Sequence, residues 1–318
     1  MSVIPLVRAS AISPLVRYLD QMGVPSERFL RQAKLPVMAL DDPVALIPLH
    51  RAFAFAESAA QQEGIELFGL LAAQKAQVDD FGLFAKVACQ SLTLYDFLHT
   101  VAILLTKTHN SGARAWVTQT NDRVWFNHQY IQSESLNNQQ AQYYACCLYV
   151  QIIQQVVGTE WHPTDLHFQA RQLRGLEDIE LFSQARVHFN QPNNAIGFAK
   201  ALLSLPIKQS IEAHPSSLQQ DYETLVTLAP KTDFVGSLKQ LVRSHLPDGG
   251  LPVTLAAETA GLSTRSLQRR LAEDGLSYSR LIDQVRFRLA LDLLKDPFIN
   301  SQNLLSLALN IKPTMSKP

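Results

Sequence analysis

The chain has 318 residues, of which 47% are hydrophobic and 18% are charged. Its 28 Lys and Arg residues balance its 28 Asp and Glu residues, so the formal net charge is zero. This composition supplies ample apolar material for buried cores and excludes the disordered, collagen-like and coiled-coil classes. The length is typical of a two-domain protein.

The zero net charge conceals a difference between the two parts of the chain. From Lys231 onward there are 12 basic and 8 acidic residues, a net charge of +4. This leaves 16 basic and 20 acidic residues before Lys231, a net charge of −4. A basic C-terminal part favours a polyanionic partner for that part.

Neither the N-terminus nor the cysteines indicate secretion. The N-terminus lacks the cationic region and apolar core of a secretory signal, and apolar runs such as 101–105 are too short to span a bilayer. Cys89, Cys146 and Cys147 form an odd set, which favours free buried thiols in a reducing compartment. We therefore expect a cytoplasmic protein with no membrane partner.

The first hundred residues have the apolar spacing and the Pro and Gly stops of successive helices. Ser91 is the predicted N-cap of the last of these helices. The helices are expected over 10–22, 26–34, 49–62 and 91–106.

The pattern then changes from helical spacing to alternation. Residues 113–119 and 123–128 alternate on either side of Asn121-Asp122, which predicts a hairpin. A long helix is expected next, over 136–157. Shorter elements complete the body near residue 206, namely strands around 166–168, 187–189 and 196–198 and a helix over 176–185.

A linking helix is predicted over 216–228, and a new helical unit opens at Asp233. Within this unit, two short helices in the segment 255–271 would meet at Gly261, which can adopt the positive φ that a tight turn favours. Ala257 is small where the two helices cross. Ser263 is a natural N-cap for the second helix.

The second helix would present polar side chains on its outer face, close to its N-terminus. Arg and Gln at this position can reach base edges in a major groove. An ordinary helical hairpin with a solvated basic face is the alternative, and the Ser cap with the exposed Arg and Gln favours DNA binding. The outer-face residues are Thr264, Arg265, Gln268 and Arg269.

The following segment makes this interpretation more specific. The run Ser266-Leu267-Gln268-Arg269-Arg270-Leu271, followed by residues 275–290, resembles the AraC family of bacterial transcription regulators. The chain is especially similar to the branch that has an arabinose-binding-type N-terminal domain and includes ornithine-utilisation regulators. The resemblance is strong over 251–298 and looser over 10–205.

The resemblance completes the expected organisation. An α+β, helix-rich domain for effector sensing and dimerisation spans 1–206, a linker helix spans 207–230, and an all-α helix-turn-helix domain spans 231–318. The partners it implies are double-stranded DNA, a small-molecule effector, a second copy in a homodimer, and RNA polymerase if the protein is an activator. The DNA-binding residues it implies are Ser263, Thr264, Arg265, Gln268, Arg269 and Arg286.

Arg286 and Arg288 lie on the helix that connects the two helix-turn-helix units of this family. Structural salt bridges and phosphate contacts are both open interpretations of these two residues.

The second helix-turn-helix unit departs from the family pattern. Residues 296–300 begin as the family does, but 310–318 contain Pro313 where the family has a recognition helix rich in Phe and Arg. We expect a truncated member with an incomplete second unit, and a frame shift is one explanation. The alternative to a DNA-binding regulator is a remnant that only binds ligand or heterodimerises with an intact relative.

Other candidate chemistry is weak. The sequence has no phosphate-binding glycine loop, no nucleophile motif and no metal-binding helix pattern, so we expect no enzyme activity, catalytic residue, cofactor or metal. His162, Asp165 and His167 are close in sequence, but a structural role is favoured over a metal site. Four aromatic residues either belong to the core or line an effector pocket: Trp116, Trp125, Tyr143 and Tyr144.

Overall fold

The protein is described from a computed structural model, which defines residues 3–42, 44–131, 136–207 and 215–294. Within these ranges the chain forms a helix-rich α+β body followed by a helical C-terminal part. The predicted fold class is therefore confirmed.

The helices of the body place their apolar residues in one large core. Local sequence sets their ends: Pro14 lies in the first turn of the first helix, and Gly64 ends the third with a φ of 67°. The helices are α1 (Ser13–Gln21), α2 (Ser26–Gln32), α3 (Leu49–Glu63), α4 (Phe68–Ala73), α5 (Gly82–Ala88), α6 (Leu94–Leu104) and α7 (Gln139–Val157).

Helix α6 begins later than the sequence predicts. Thr93, not Ser91, is its N-cap, because the Thr93 hydroxyl accepts a hydrogen bond from the Asp96 amide at 3.2 Å. The Asp96 carboxylate accepts one from the Thr93 amide in return, which completes a capping box. The Ser91 hydroxyl instead donates to the Ala88 carbonyl at 2.8 Å.

The predicted helix over 176–185 is wrong. The segment forms two short 3-10 turns, Leu176–Asp178 and Glu180–Phe182, separated by the extended residue Ile179. Leu176 and Phe182 are both buried. Six helical residues would turn these side chains roughly 240° apart, whereas the extended break lets both reach the core.

A five-stranded sheet in the order β3-β4-β7-β5-β6 covers one side of the body. The predicted hairpin is confirmed, since its two strands pair antiparallel with Val117 opposite Phe126. Only the β5–β6 pair is parallel among these neighbours. The strands are β3 (Ala113–Gln119), β4 (Arg123–Tyr130), β5 (Asp165–His167), β6 (Arg186–His188) and β7 (Asn194–Ala199), and a separate antiparallel pair joins β1 (Leu6–Arg8) to β2 (Leu46–Pro48).

The C-terminal part, residues 215–294, consists of helices joined by short connecting segments. The predicted cap at Asp233 is confirmed, because its carboxylate accepts a hydrogen bond from the Gly236 amide at 2.7 Å. The helices are α8 (Pro215–Thr227), α9 (Phe234–His245), α10 (Val253–Thr259), α11 (Thr264–Glu273) and α12 (Tyr278–Leu294).

Residues from the start of the body complete the core of the C-terminal part. Ile4, Leu6 and Leu46 are buried in the same apolar cluster as Leu238 and Leu267. At this junction the Leu46 amide donates to the Ser244 hydroxyl at 3.1 Å, and that hydroxyl donates to the Leu46 carbonyl at 2.7 Å. Strand β2 is thus attached directly to helix α9.

Candidate nucleic-acid interface and internal cavity

Helices α10 and α11 meet at the turn that the sequence predicts. Gly261 has a φ of 67°, in the left-handed region that favours glycine. The Leu262 amide donates to the Ala257 carbonyl at 2.9 Å, which closes the end of α10. Ala257 is almost fully buried, as expected for a small residue where two helices approach closely.

The seam between these helices is apolar, and the N-terminus of α11 is capped. Leu267 and Leu271 are fully buried against the other residues of the C-terminal core. The Ser263 hydroxyl accepts a hydrogen bond from the Ser266 amide at 3.1 Å, so the predicted N-cap is confirmed. Because Leu267 and Leu271 are buried on one side of α11, the side chains on the opposite side of this helix face outward.

The outward face of α11 carries exposed Arg and Gln side chains. Arg265, Gln268 and Arg269 are exposed, and Thr264 is half-buried beside them. Across the residues the structure describes, these three exposed side chains form no ion pair or side-chain hydrogen bond with the protein. Arg270 differs, because its guanidinium packs 3.6 Å from the centre of the Phe234 ring.

Helix α12 carries the other two candidate arginines. Arg288 forms an ion pair with Asp292 at 3.7 Å, and Asp292 also accepts from Arg243 at 3.2 Å. Of the two interpretations given for Arg288, a structural salt bridge and a phosphate contact, the structure shows a salt bridge. Arg286 is half-buried on the same helix. The expectations for the second helix-turn-helix unit, 296–318, lie outside the described residues.

The body contains a partly open cavity of about 560 Å³. Helices α1, α3, α6 and α7 and strand β4 contribute to its wall. Its volume is within the usual range for small-molecule sites. Of the four aromatic residues considered for an effector pocket, Tyr144 lines this cavity, and Trp116, Trp125 and Tyr143 lie elsewhere.

The periodicity of the strands and of α7 explains why Tyr144 lines the cavity and the other three aromatic residues do not. Trp125 lies over Gly197, its partner on the neighbouring strand, whereas Phe126 points to the opposite, buried face of the sheet. Trp116 packs against the Arg114 guanidinium at 4.9 Å. Tyr143 is one residue from Tyr144 on α7, hence on another side of the helix.

Two buried histidines line the cavity and were not singled out from the sequence. Burial, together with the charge of Arg8, lowers the pKa of His109 to about 3. Burial lowers the pKa of His128 to about 4. The signal for His128 is its even spacing from Val124 and Phe126 along β4, which puts it on the same face as these two buried residues.

Two polar atoms of cavity-lining residues have no hydrogen-bond partner among the described residues: the His128 Nδ1 and the Tyr144 hydroxyl. Burial is also the main reason that the pKa of Tyr144 is well above its usual value. Both groups are therefore neutral near pH 7.

Asp165, on strand β5, forms ion pairs with neighbouring arginines. The Asp165 carboxylate pairs with Arg123 and accepts from Arg186 at 2.8 Å. Burial opposes its ionisation, but the hydrogen bonds from Arg186 and Thr164 and the nearby charges outweigh this and lower its pKa. Within the described part of the chain, no group of His, Cys, Asp and Glu is arranged to hold a metal ion.

The three cysteines are free thiols, and Cys146 and Cys147 are buried. Burial raises the pKa of both buried thiols, so neither forms a reactive thiolate near pH 7. None of the helices within the described ranges is long and apolar enough to cross a membrane.

Comparison with known proteins identifies the family. The family model described as the arabinose-binding domain of AraC transcription regulators, N-terminal, matches residues 23–207. The chain belongs to this family of AraC transcription regulators. The match covers the body that contains the cavity, and the family resemblance noted in the sequence is thereby confirmed.

Other proteins are also similar to this chain. Two uncharacterized HTH-type transcriptional regulators, from Mycobacterium bovis and Mycobacterium tuberculosis, are each 32% identical to the regulator over 136 residues. The matched segment covers 42% of this chain and 38% of each relative. A crystal structure of the transcriptional regulator CdpR from Pseudomonas aeruginosa is similar over 94% of this chain and 90% of that chain, with 16% identity and a TM-score of 0.44.

Proposed function

We propose that this regulator binds double-stranded DNA sequence-specifically through α11 and that a small-molecule effector controls the binding. The observation that carries the proposal is the outward face of α11, where Arg265, Gln268 and Arg269 are exposed and form no ion pair with the described residues. The capped helix and its buried seam hold these side chains on one side. A rigid helix with free Arg and Gln at its N-terminal end suits the major groove.

The residues of this face would have different roles. Arg265 and Gln268 would contact base edges, since Arg can bond to guanine and Gln to adenine through two hydrogen bonds each. Ser263, Thr264, Arg269 and the half-buried Arg286 would position the helix through phosphate contacts.

Helix α3 supplies a physical route from the cavity to the helix-turn-helix. Ala52 and Phe53, on one side of α3, line the cavity. Arg51, on another side, donates to the Thr259 hydroxyl at 3.1 Å and to the Ala33 carbonyl at 3.2 Å. Thr259 is the last residue of α10, so a shift of α3 on ligand binding would act on the start of the turn at Gly261.

A second contact between the two parts surrounds Glu258 on α10. The Lys34 ammonium donates to the Glu258 carboxylate at 2.7 Å, and the Arg51 guanidinium approaches it to 3.5 Å. The hydrogen bond from Lys34 is the main reason that the pKa of Glu258 is lowered. These contacts would hold α10 in one orientation until the body changes shape.

The remaining parts of the proposal rest on family membership. They are the division into a sensing domain over 1–206, a linker over 207–230 and a DNA-binding domain over 231–318, a homodimer, RNA polymerase contact for an activator, and a cytoplasmic location. The sequence-predicted pocket role of Trp116, Trp125 and Tyr143 is replaced in this proposal by the cavity that Tyr144 lines.

A gel-shift experiment tests DNA binding. The regulator is expected to retard the DNA upstream of its own gene at low and moderate salt, and Arg265→Ala with Gln268→Ala is expected to abolish retardation at moderate salt. Arg31→Ala with Gln21→Ala is the matched control, because these residues are exposed on body helices. No retardation by the wild type at low salt would favour the remnant that binds no DNA.

A further inference from the structure

The residues that line the cavity are mainly apolar. None of the described residues that line it is Lys or Arg, and Asp79 is the carboxylate among them. Most lining residues are aliphatic or aromatic, such as Ile12, Phe53, Phe97 and Leu148. A ligand of matching chemistry is therefore mainly apolar and carries no negative charge.

The two unpartnered polar groups indicate where such a ligand would be held. The His128 side chain is almost fully buried, with a relative exposure of 3%, and Tyr144 has a relative exposure of 7%. Leaving a buried polar group without a partner costs stability. Both residues line the cavity, so a bound molecule that reaches these two atoms would supply the missing hydrogen bonds.

We propose that the cavity binds a neutral, predominantly apolar molecule with one or two hydroxyl or carbonyl groups, which bond to the Tyr144 hydroxyl and to His128 Nδ1. The description of this ligand as the effector rests on the proposed function, but binding itself does not. A hydroxyl fits both positions, because it can donate and accept.

Two other ligand classes fit the wall poorly. A carboxylate would lose its hydration without meeting a Lys or Arg side chain among the lining residues, which is costly in an apolar site. A pentose such as arabinose carries a hydroxyl on nearly every carbon, and most of these would face aliphatic and aromatic side chains. The cavity therefore differs from the sugar site that the family description suggests.

Displacement of a fluorescent probe tests the ligand class on the full chain without DNA. N-Phenyl-1-naphthylamine, a neutral apolar fluorophore, is bound first, and 1-decanol, decanoate and L-arabinose are then titrated. We expect 1-decanol to displace the probe at concentrations about tenfold or more below those of decanoate, because burying an unpaired carboxylate is costly. L-Arabinose is expected to displace none.

Two variants on the same helix show whether the probe reports this cavity. Tyr144→Phe is expected to weaken 1-decanol binding about three- to tenfold through the lost hydrogen bond. Tyr143→Phe, which lies outside the cavity, is expected to leave the binding unchanged. The absence of probe binding, stronger displacement by decanoate or arabinose, or equal effects of both variants would overturn the proposal. Since DNA is absent, a failed gel shift leaves this result unaffected.

Discussion

Tyr143 and Tyr144 are adjacent on α7, but their hydroxyls have different surroundings. The Tyr143 hydroxyl donates to the Arg171 carbonyl at 2.7 Å. The Tyr144 hydroxyl is buried with no hydrogen-bond partner among the described residues. A buried hydroxyl in that state lowers stability by about 1–3 kcal/mol relative to a satisfied one. The ligand proposed above would satisfy this hydroxyl.

Removing each hydroxyl should therefore change stability differently. Tyr143→Phe is expected to lower the free energy of unfolding by about 1 kcal/mol, because it breaks a hydrogen bond. Tyr144→Phe is expected to leave it unchanged or raise it. Urea denaturation of both variants measures the difference. An equal loss in Tyr144→Phe would mean that its hydroxyl has a partner in the free protein.

The buried histidines predict a pH dependence. The pKa of His128 is lowered to about 4 by burial, whereas an unfolded histidine has its pKa near 6.5. Below pH ~6.5 the unfolded state therefore binds more protons than the folded state. The contribution of His128 to the free energy of unfolding is fully present above pH ~6.5 and is lost as the pH falls toward ~4. His109 contributes with the same sign.

His128→Phe tests this contribution, because phenylalanine keeps the ring and removes the titrating group. Between pH 7 and pH 5 the variant should lose about 2 kcal/mol less stability than the wild type. Urea denaturation at the two pH values provides the measurement. Identical losses in both proteins would show that His128 titrates normally in the folded state.

At the scale of elements, the turn between α10 and α11 depends on one glycine. A Cβ at Gly261 would meet no heavy atom within 4 Å, so steric crowding by neighbours is not the constraint. Its φ of 67° is the constraint, since this conformation costs an ordinary L-residue roughly 1–2 kcal/mol.

Gly261→Ala is therefore expected to lower stability by about 1–2 kcal/mol. Gly261→Asn is expected to cost less, because asparagine tolerates the left-handed region better. Thermal unfolding of the two variants, followed by circular dichroism, makes the comparison. If alanine were as stable as glycine at this position, the turn would have another conformation in solution.

The elements that sequence predicted correctly are those with a strong local signal. Ser263 and Asp233 are caps that bond to the amides three residues later, and the hairpin follows from alternation on either side of Asn121-Asp122. The break at Ile179 depends on the burial of both Leu176 and Phe182 in the core, which the apolar spacing of the segment does not reveal. The cavity likewise depends on how several helices pack, so Tyr144 could be selected as an aromatic but not distinguished from Tyr143.

At the scale of the whole molecule, residues of the body complete the core of the C-terminal part. Leu46 is buried in the apolar cluster of α9 and α11, and its backbone bonds to Ser244. Arg8 adds another junction, because its buried guanidinium donates to the Val44 carbonyl at 2.9 Å and to the Leu228 carbonyl at 2.7 Å. These contacts should make the two parts unfold together.

Calorimetry tests this coupling. The wild type is expected to unfold in a single transition, and Leu46→Ala is expected to lower the free energy of unfolding by about 2–5 kcal/mol. Ala56→Gly, buried in the body core alone, is a control for general destabilisation. Two well-separated transitions in the wild type would contradict this coupling between the two parts.

The regulator as a whole is proposed to read a DNA sequence with the outward face of α11. Fluorescence anisotropy should give the ratio of dissociation constants for the DNA upstream of the gene and for a scrambled duplex of equal length, at one fixed salt concentration. Arg265→Ala with Gln268→Ala is predicted to reduce this discrimination by about 1–3 kcal/mol for each base that the variant no longer binds, while Arg31→Ala with Gln21→Ala leaves it unchanged. Equal affinity of the wild type for the two duplexes, or unchanged discrimination in the α11 variant, would contradict sequence reading by this helix.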